Sequence, residues 1–194
     1  MSEKKGRESL IVLTGVLLAT IGWTFADKKL KIAPGQQYLV LSTSKISTIE
    51  KELDEASSYG FRVITGSPTA TTEMALFLEC VSTPSKPYEY KIVATSRIKS
   101  MEKELNEAAQ ENYRVLPQTF IAKQGMFTNE IVVVLERPPE IVHRYEYMLL
   151  GAHSDETLQR EIIEAIADGF ELAAMVTFSE QTVIMERATK IGQE

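Results

Sequence analysis

Cysteine and histidine are scarce in this chain of 194 residues. Cys80 is the only cysteine, so an intrachain disulfide is excluded and stability must come from packing. The two histidines, His143 and His153, offer few bases that could activate a nucleophile. The ten glycines form neither a G-x-G-x-x-G motif nor a P-loop, which excludes these phosphate-cradling loops. We therefore expect no catalytic residue, no cofactor and no metal site.

The chain also lacks a surplus of positive charge. Without residues 1–26 it holds 18 Lys and Arg against 25 Asp and Glu. This balance argues against nucleic acid as a partner, because no basic surplus is available to neutralise phosphates. The acidity is concentrated in residues 138–194, which carry 11 Asp and Glu against 4 Lys and Arg.

An apolar segment stands at the N-terminus. Basic side chains precede residues 10–26, a run of 17 residues without a formal charge. Such a run is typical of an export signal or a membrane anchor. The small residues that end at Ala26 fit a signal-peptidase site, and both a cleaved signal and a retained anchor stay open. We expect a periplasmic or extracellular protein, or one held at the inner membrane by this segment.

The sequence repeats itself along the remaining chain. TIEKELDEA, residues 48–56, returns as SMEKELNEA, residues 100–108, and the match runs without a gap from 38–64 to 90–116. A further shift of 57 residues aligns a third, weaker copy that keeps the apolar pattern, for example Tyr90 with Tyr147 and Ala108 with Ala165. We interpret the chain as three tandem repeats of one unit.

Each repeat predicts the order β-α-β-β, in which YRVLPQTFIA, residues 113–122, is the second strand of the second repeat, and the whole chain predicts the α+β class. A right-handed crossover favours the strand order 1-3-2 with the helix on one face. Because a unit of about 50 residues buries little by itself, we expect the open sheet faces to pack against one another in one pseudo-symmetric body. The predicted segments are a signal peptide or anchor in 1–26, a linker in 27–36, repeats in 37–83, 84–137 and 138–187, and a tail in 188–194.

Local sequence patterns add detail to the predicted β-α-β-β unit. The predicted helices carry apolar residues at spacings of 3, 4 and 3, which places them on one stripe facing a sheet, with the charges of EKELDE mostly on the solvent side. Gly60, Asn112 and Gly169 follow the three helices and tolerate the left-handed conformation that ends a helix. Residues 131–135 are apolar throughout, which predicts a central strand buried on both faces.

The repeat resembles a group of small bacterial domains of unknown function. The resemblance lies in Y-E-Y-K-I-V at 88–93, N-Y-R-V-L at 112–116 and V-V-V-L-E-R at 132–137. Those domains typically read Y-E-Y-K-V-V, G-W-E-L-V and a last strand ending in E-R. The tryptophan is Phe or Tyr here, and the first copy ends in Glu79-Cys80 where the others end in Glu-Arg. The resemblance implies the fold and brings no assigned activity.

The recurring charges at the ends of the last strands are the candidate binding residues. Glu136-Arg137 and Glu186-Arg187 recur, with Glu79 at the matching place. They could surround a cleft and bind an anion or a peptide terminus, or they could be exposed pairs of little energetic weight.

His153 is a further candidate, because Asp155 and Glu156 follow it closely and could complete a metal site. The alternative is that Ser154 caps a helix whose first turn holds the two acids. We favour the cap.

Three hypotheses on function remain. The favoured one is a non-catalytic exported or membrane-anchored protein that interacts with a protein partner at the cell envelope or serves as a scaffold, with the membrane contacted through residues 10–26 if they are retained. The second is a small-molecule binding module with a pocket between repeats. The third is an enzyme in which His153 or Cys80 meets acids from another repeat.

Overall fold

The structure, a computed structural model, describes residues 29–70, 73–81, 86–124, 129–177 and 180–192. The predicted signal or anchor lies outside these residues. The described helices are α1 (Ile46–Ser58), α2 (Ile98–Gln110) and α3 (Asp155–Ala167). The strands are β1 (Tyr38–Thr43), β2 (Phe61–Pro68), β3 (Met74–Cys80), β4 (Glu89–Thr95), β5 (Arg114–Val115), β6 (Ile121–Gln124), β7 (Asn129–Arg137), β8 (His143–Ala152), β9 (Glu171–Thr177) and β10 (Gln181–Lys190). None of the described helices combines the length and the apolar character that a membrane crossing requires.

The α+β class is confirmed, and the strands form three antiparallel sheets. The first sheet has the order β1-β3-β2, the second β4-β7-β5 with β6 also on β7, and the third β8-β10-β9. The predicted order 1-3-2 is therefore confirmed in each sheet. β7 is central, and its residues 132–135 have no exposed surface, as the unbroken apolar run predicts.

The helices end and pack as their sequences predict. Ile49 and Leu53 of α1 and Met101 and Leu105 of α2 are fully buried on the predicted stripe. The residues that end the three helices have left-handed backbones, with φ of 87° at Gly60, 67° at Asn112 and 87° at Gly169. The chain therefore reverses at each helix end without the strain that most side chains would add.

One predicted strand is interrupted in the structure. The sequence predicts a single strand through YRVLPQTFIA, whereas the structure has β5, a 3-10 turn over Pro117–Thr119, and then β6. Proline fixes φ and has no N–H for a ladder bond, so the strand breaks at Pro117. Thr119 fills the gap in the ladder, because its hydroxyl accepts the N–H of Val134 at 2.9 Å.

The packing of the sheets differs from the expected contact between open faces. We call the face that carries the helix the helix side of a sheet and the other its outer side. The outer side of the second sheet closes the core that α1 forms on the first sheet, and the outer side of the third sheet closes the core of α2. Alternation along β7 explains the arrangement, since Val134 faces the first core while Val133 faces the second. The outer side of the first sheet stays exposed at Val40.

Residues of the predicted tail and of the predicted linker take part in the fold. β10 runs through Lys190, three residues into the predicted tail, because its end pairs with the start of β8. Within the predicted linker, Leu30 and Ile32 pack against the first core, and the Leu30 N–H donates to Glu55 Oε2 at 3.2 Å.

Candidate interaction site

Glu136 lies at the centre of a charged cluster that joins the first two sheets. Its side chain is fully buried and accepts two hydrogen bonds from Arg62, at 2.8 Å from Nε and 2.9 Å from Nη2. Arg114 donates to the same carboxylate at 2.8 Å. The hydrogen bond to Glu136 raises the pKa of Arg62 above its ordinary value, so both arginines stay charged. Glu136 is thus committed to a structural contact in which two cations surround one buried anion.

Arg137 and Arg187 make matching contacts within their own sheets. Arg137 pairs with Glu89 on β4, and its guanidinium lies 4.9 Å from the ring centroid of Tyr113. The aligned Arg187 pairs with Glu146 on β8, lies 4.5 Å from the ring of Phe170 and donates to the carbonyl of Asp168 at 2.9 Å. Each arginine therefore fastens the residues after a helix to the first strand of its sheet. These contacts give the arginine of E-R a structural role in both sheets.

The first sheet lacks this arginine. Cys80 stands at the position aligned with Arg137, and its backbone N–H donates to the carbonyl of Gln37 at 2.7 Å. Leu30 and residues 32–36 line a cavity together with Cys80, Tyr59 and Phe61. Glu79, on the adjoining position of β3, pairs in register with Tyr38 and Arg62.

Glu186 occupies the place of Glu136 in the third sheet but has a different environment. Burial raises the pKa of Glu186, while a hydrogen bond with the Tyr147 hydroxyl and the charge of Arg114 act to lower it. The Tyr147 hydroxyl also accepts the backbone N–H of Val115 at 2.8 Å. Glu186 is therefore connected through the Tyr147 hydroxyl to the contact between the second and third sheets.

His153 is placed at the surface, with its side chain 79% exposed and 3.9 Å from Glu180. Ser154 caps α3 by accepting the N–H of Thr157 at 3.3 Å, and Asp155 and Glu156 occupy the first turn. The predicted cap is confirmed. Among the residues that the structure describes, no group of three or more His, Cys, Asp and Glu side chains could hold a metal ion.

The contacts that sequence reasoning missed are made by polar residues of the helices. Glu102 Oε2 accepts the N–H of Leu149 at 2.8 Å, and Asn106 both accepts from the N–H of Tyr147 at 3.0 Å and donates to its carbonyl at 2.8 Å. In the same way Glu50 accepts the N–H of Ile92 at 3.1 Å. Glu50 and Glu102 depart from the expectation that these charges lie mostly on the solvent side. They satisfy free backbone groups on the edge strand of the next sheet.

A cleft of about 610 Å³ opens beside Arg114, between the end of the second sheet and the start of β8. Its walls include Tyr88, Ile141, His143 and Tyr145. His143 and Cys80 line different cavities. The cleft therefore presents aromatic rings, a histidine and an arginine that is already bound to Glu136.

Exposed apolar surfaces lie at both ends of the order of sheets. The first-sheet surface consists of Tyr38, Val40 and Phe77 on the outer side of the first sheet, where the rings of Tyr38 and Phe77 stack at 5.4 Å. The third-helix surface consists of Ile163 and Ile166 on α3 with Leu172 and Met175 on β9. Both surfaces were absent from the predicted site, because sequence alone does not tell which apolar side chains stay uncovered.

Comparison of this chain with models of protein families, with curated proteins and with solved structures finds no match in any of the three. The resemblance to the small bacterial domains stays a prediction.

Proposed function

We propose that this chain is a non-catalytic exported or membrane-anchored protein that serves as an interaction or scaffold module. In this proposal it consists of three tandem β-α-β-β repeats packed as one pseudo-symmetric body, preceded by an N-terminal apolar helix. The observation that carries the proposal is the third-helix surface, where Ile163, Ile166, Leu172 and Met175 are each about half exposed. Clustered exposure of large apolar side chains is typical of surfaces that bind a partner.

The matched contacts of aligned residues support the repeats. Arg137 and Arg187 engage aligned carboxylates and aligned aromatic rings. Glu50 and Glu102, also aligned, accept aligned backbone N–H groups of the following sheet. A single unit, used three times, would reproduce its contacts in this way.

The structural contacts of the recurring charged residues support a role without catalysis. Glu136 is neutralised by two arginines, and Arg137 and Arg187 fasten helix ends. Side chains that are held in structural contacts are poorly placed to transfer protons or attack a substrate.

The interaction surface can be tested by photo-crosslinking in cells that produce the full chain. A photoreactive amino acid at position 166 should give adducts with a protein partner, because Ile166 lies in the third-helix surface. The matched control is position 164, since Glu164 is also exposed on α3 but lies outside that surface. Absence of adducts at position 166 from folded protein would contradict the proposal.

The location can be tested on the same cells by fractionation and intact mass. A mass without residues 1–26 in a periplasmic or culture fraction supports export, and a full-length chain in the membrane fraction supports an anchor. A full-length chain in the cytosol would refute both.

The cleft favours a second candidate function, the binding of a small molecule between repeats. Its volume falls in the range of ligand pockets, and aromatic side chains with a histidine line it. A thermal-shift screen should then find a metabolite that stabilises the chain, and Ile141→Trp, which fills the cleft, should abolish the shift. A shift that Ile141→Trp leaves unchanged would place the ligand elsewhere.

A further inference from the structure

The outer sides of the three sheets differ in what covers them. The aligned side chains are Tyr38, Val40 and Phe77 in the first sheet, Tyr90, Ile92 and Val134 in the second, and Tyr147, Leu149 and Ile184 in the third. The second and third sets are at most 9% exposed, whereas the first set is 50%, 59% and 37% exposed. The difference arises because the preceding helix and sheet cover the second and third sheets, and no preceding unit among the described residues covers the first.

The helix sides show the complementary difference. Val63 of β2 and Val115 of β5 are 5% and 3% exposed, because the outer side of the following sheet covers them. Leu172 of β9 stands at the aligned position and is 52% exposed. Ile163 and Ile166 are exposed on the neighbouring face of α3. The first-sheet surface and the third-helix surface are thus the two halves of an interface that occurs twice within the chain.

We infer that a second copy of this chain is the partner, and that copies associate head to tail. The first-sheet surface of one copy packs on the third-helix surface of the next, as the second sheet packs on α1 and the third on α2. This inference rests on the proposed interaction role and names its partner. Two different surfaces meet in such a contact, so repetition forms a closed ring or an open chain.

The internal contacts give the geometry of the association. Tyr90 accepts the N–H of Val63 at 3.2 Å, and Tyr147 accepts the N–H of Val115 at 2.8 Å. By the same alignment, the hydroxyl of Tyr38 accepts the N–H of Leu172 in the other copy. A buried tyrosine hydroxyl normally finds such a partner, which fixes the direction and register of the contact.

One aligned position weakens the contact between copies relative to the contacts within a chain. Arg62 reaches from the first sheet to Glu136 of the second. Glu171 occupies the place of Arg62 in the third sheet, and Glu79 occupies the place of Glu136 in the first. Glu171 of one copy therefore approaches Glu79 of the next, and like charges at an interface lower its affinity. Glu171→Arg restores the attractive pair and should tighten the association about tenfold or more.

Disulfide crosslinking of the full chain in membranes or secreted fractions tests the contact. Glu102 of α2 lies against Leu149 of β8, so the aligned Gln159 should lie against Val40 of another copy. On a Cys80→Ser background, chains carrying both Val40→Cys and Gln159→Cys should form a ladder of oligomers after mild oxidation. Val40→Cys with Glu164→Cys is the matched control and should form none, because Glu164 lies outside the third-helix surface.

The outcomes separate this inference from the proposed function. Each cysteine variant alone should form no disulfide-linked oligomer, and a disulfide-linked dimer from Val40→Cys alone would indicate a symmetric contact and overturn the inference. Absence of a ladder, also after Glu171→Arg, would overturn it as well. If position 166 then still crosslinks to a different protein, the interaction role stands and only the second copy as partner is wrong. If position 166 crosslinks to nothing, both fail.

Discussion

Replacing Glu136 should destabilise the protein more than replacing any one of its partners. Glu136→Gln removes the negative charge that Arg62 and Arg114 share but keeps the volume of the side chain. Breaking a buried ion pair from one side costs about 3–5 kcal/mol. The two arginine side chains are each 33% exposed and can regain some water, so we expect the lower value of about 2–3 kcal/mol. Arg62→Gln should cost about 1–2 kcal/mol, because Arg114 still neutralises Glu136.

Urea unfolding of residues 27–194, followed by circular dichroism, measures these differences. Trp23, the only tryptophan, lies outside this fragment and so gives no fluorescence signal. For a chain of this size m is about 2 kcal/mol/M, so Glu136→Gln should lower the midpoint by about 1–1.5 M. Glu89→Gln is the matched control, because its pair with Arg137 is partly exposed and should contribute less than about 1 kcal/mol. Equal losses for Glu136→Gln and Glu89→Gln would refute the reasoning, as would a larger loss for Arg62→Gln.

Three further substitutions test single contacts by the same unfolding measurement. Asp54 aligns with Asn106, which bonds both backbone groups of the next strand, so Asp54→Asn should stabilise by about 0.5–1 kcal/mol. Burial and the charges of Glu50 and Glu89 raise the pKa of Asp54 in the folded protein. Ionisation of Asp54 therefore lowers the stability of the fold as pH rises. Part of the stability gained by Asp54→Asn should vanish below about pH 4, where the native carboxyl is protonated. Burial likewise raises the pKa of Glu186. Glu186→Gln should therefore stabilise the fold by under about 1 kcal/mol at pH 7 and give no gain once the native carboxyl is protonated. An unchanged gain in stability at low pH would contradict this reasoning. Gly169→Ala should cost about 1–2 kcal/mol, because φ is 87° there, and a loss near zero would show that the helix end can relax.

The sequence predicted the parts of the fold that depend on local pattern. The buried stripe of α2, the left-handed Gly60 and Gly169 and the central β7 all follow from spacing, glycine chemistry and an unbroken apolar run. Strand order followed from the handedness of the crossover. These features depend on residues that lie close together in the chain or on rules that hold for most sheets, so they could be predicted without coordinates.

The contacts between sheets could not be predicted in this way. The helical pattern predicts that Glu50 and Glu102 face solvent, yet each accepts a hydrogen bond from a backbone N–H of the next sheet. The signal was the identity of EKEL in two copies, because solvent-facing charges are free to vary in position and sign. Arg62 and Arg114 also occupy aligned positions of the sequence, but the bond from Arg62 to Glu136 spans 74 residues and depends on how one sheet packs on another.

The apolar side chains of α3 support the proposal that its exposed face is an interaction surface. In an array of repeats the terminal unit normally has a polar outer face that keeps the array soluble. Here Ile163 stands where α1 and α2 carry Asp54 and Asn106, and Ile166 stands where they carry Ser57 and Ala109. The last helix is thus more apolar than the two helices that are covered, and both isoleucines are exposed. A helix that only closed the series would gain solubility from the opposite substitutions, which supports the proposal that a partner covers this face.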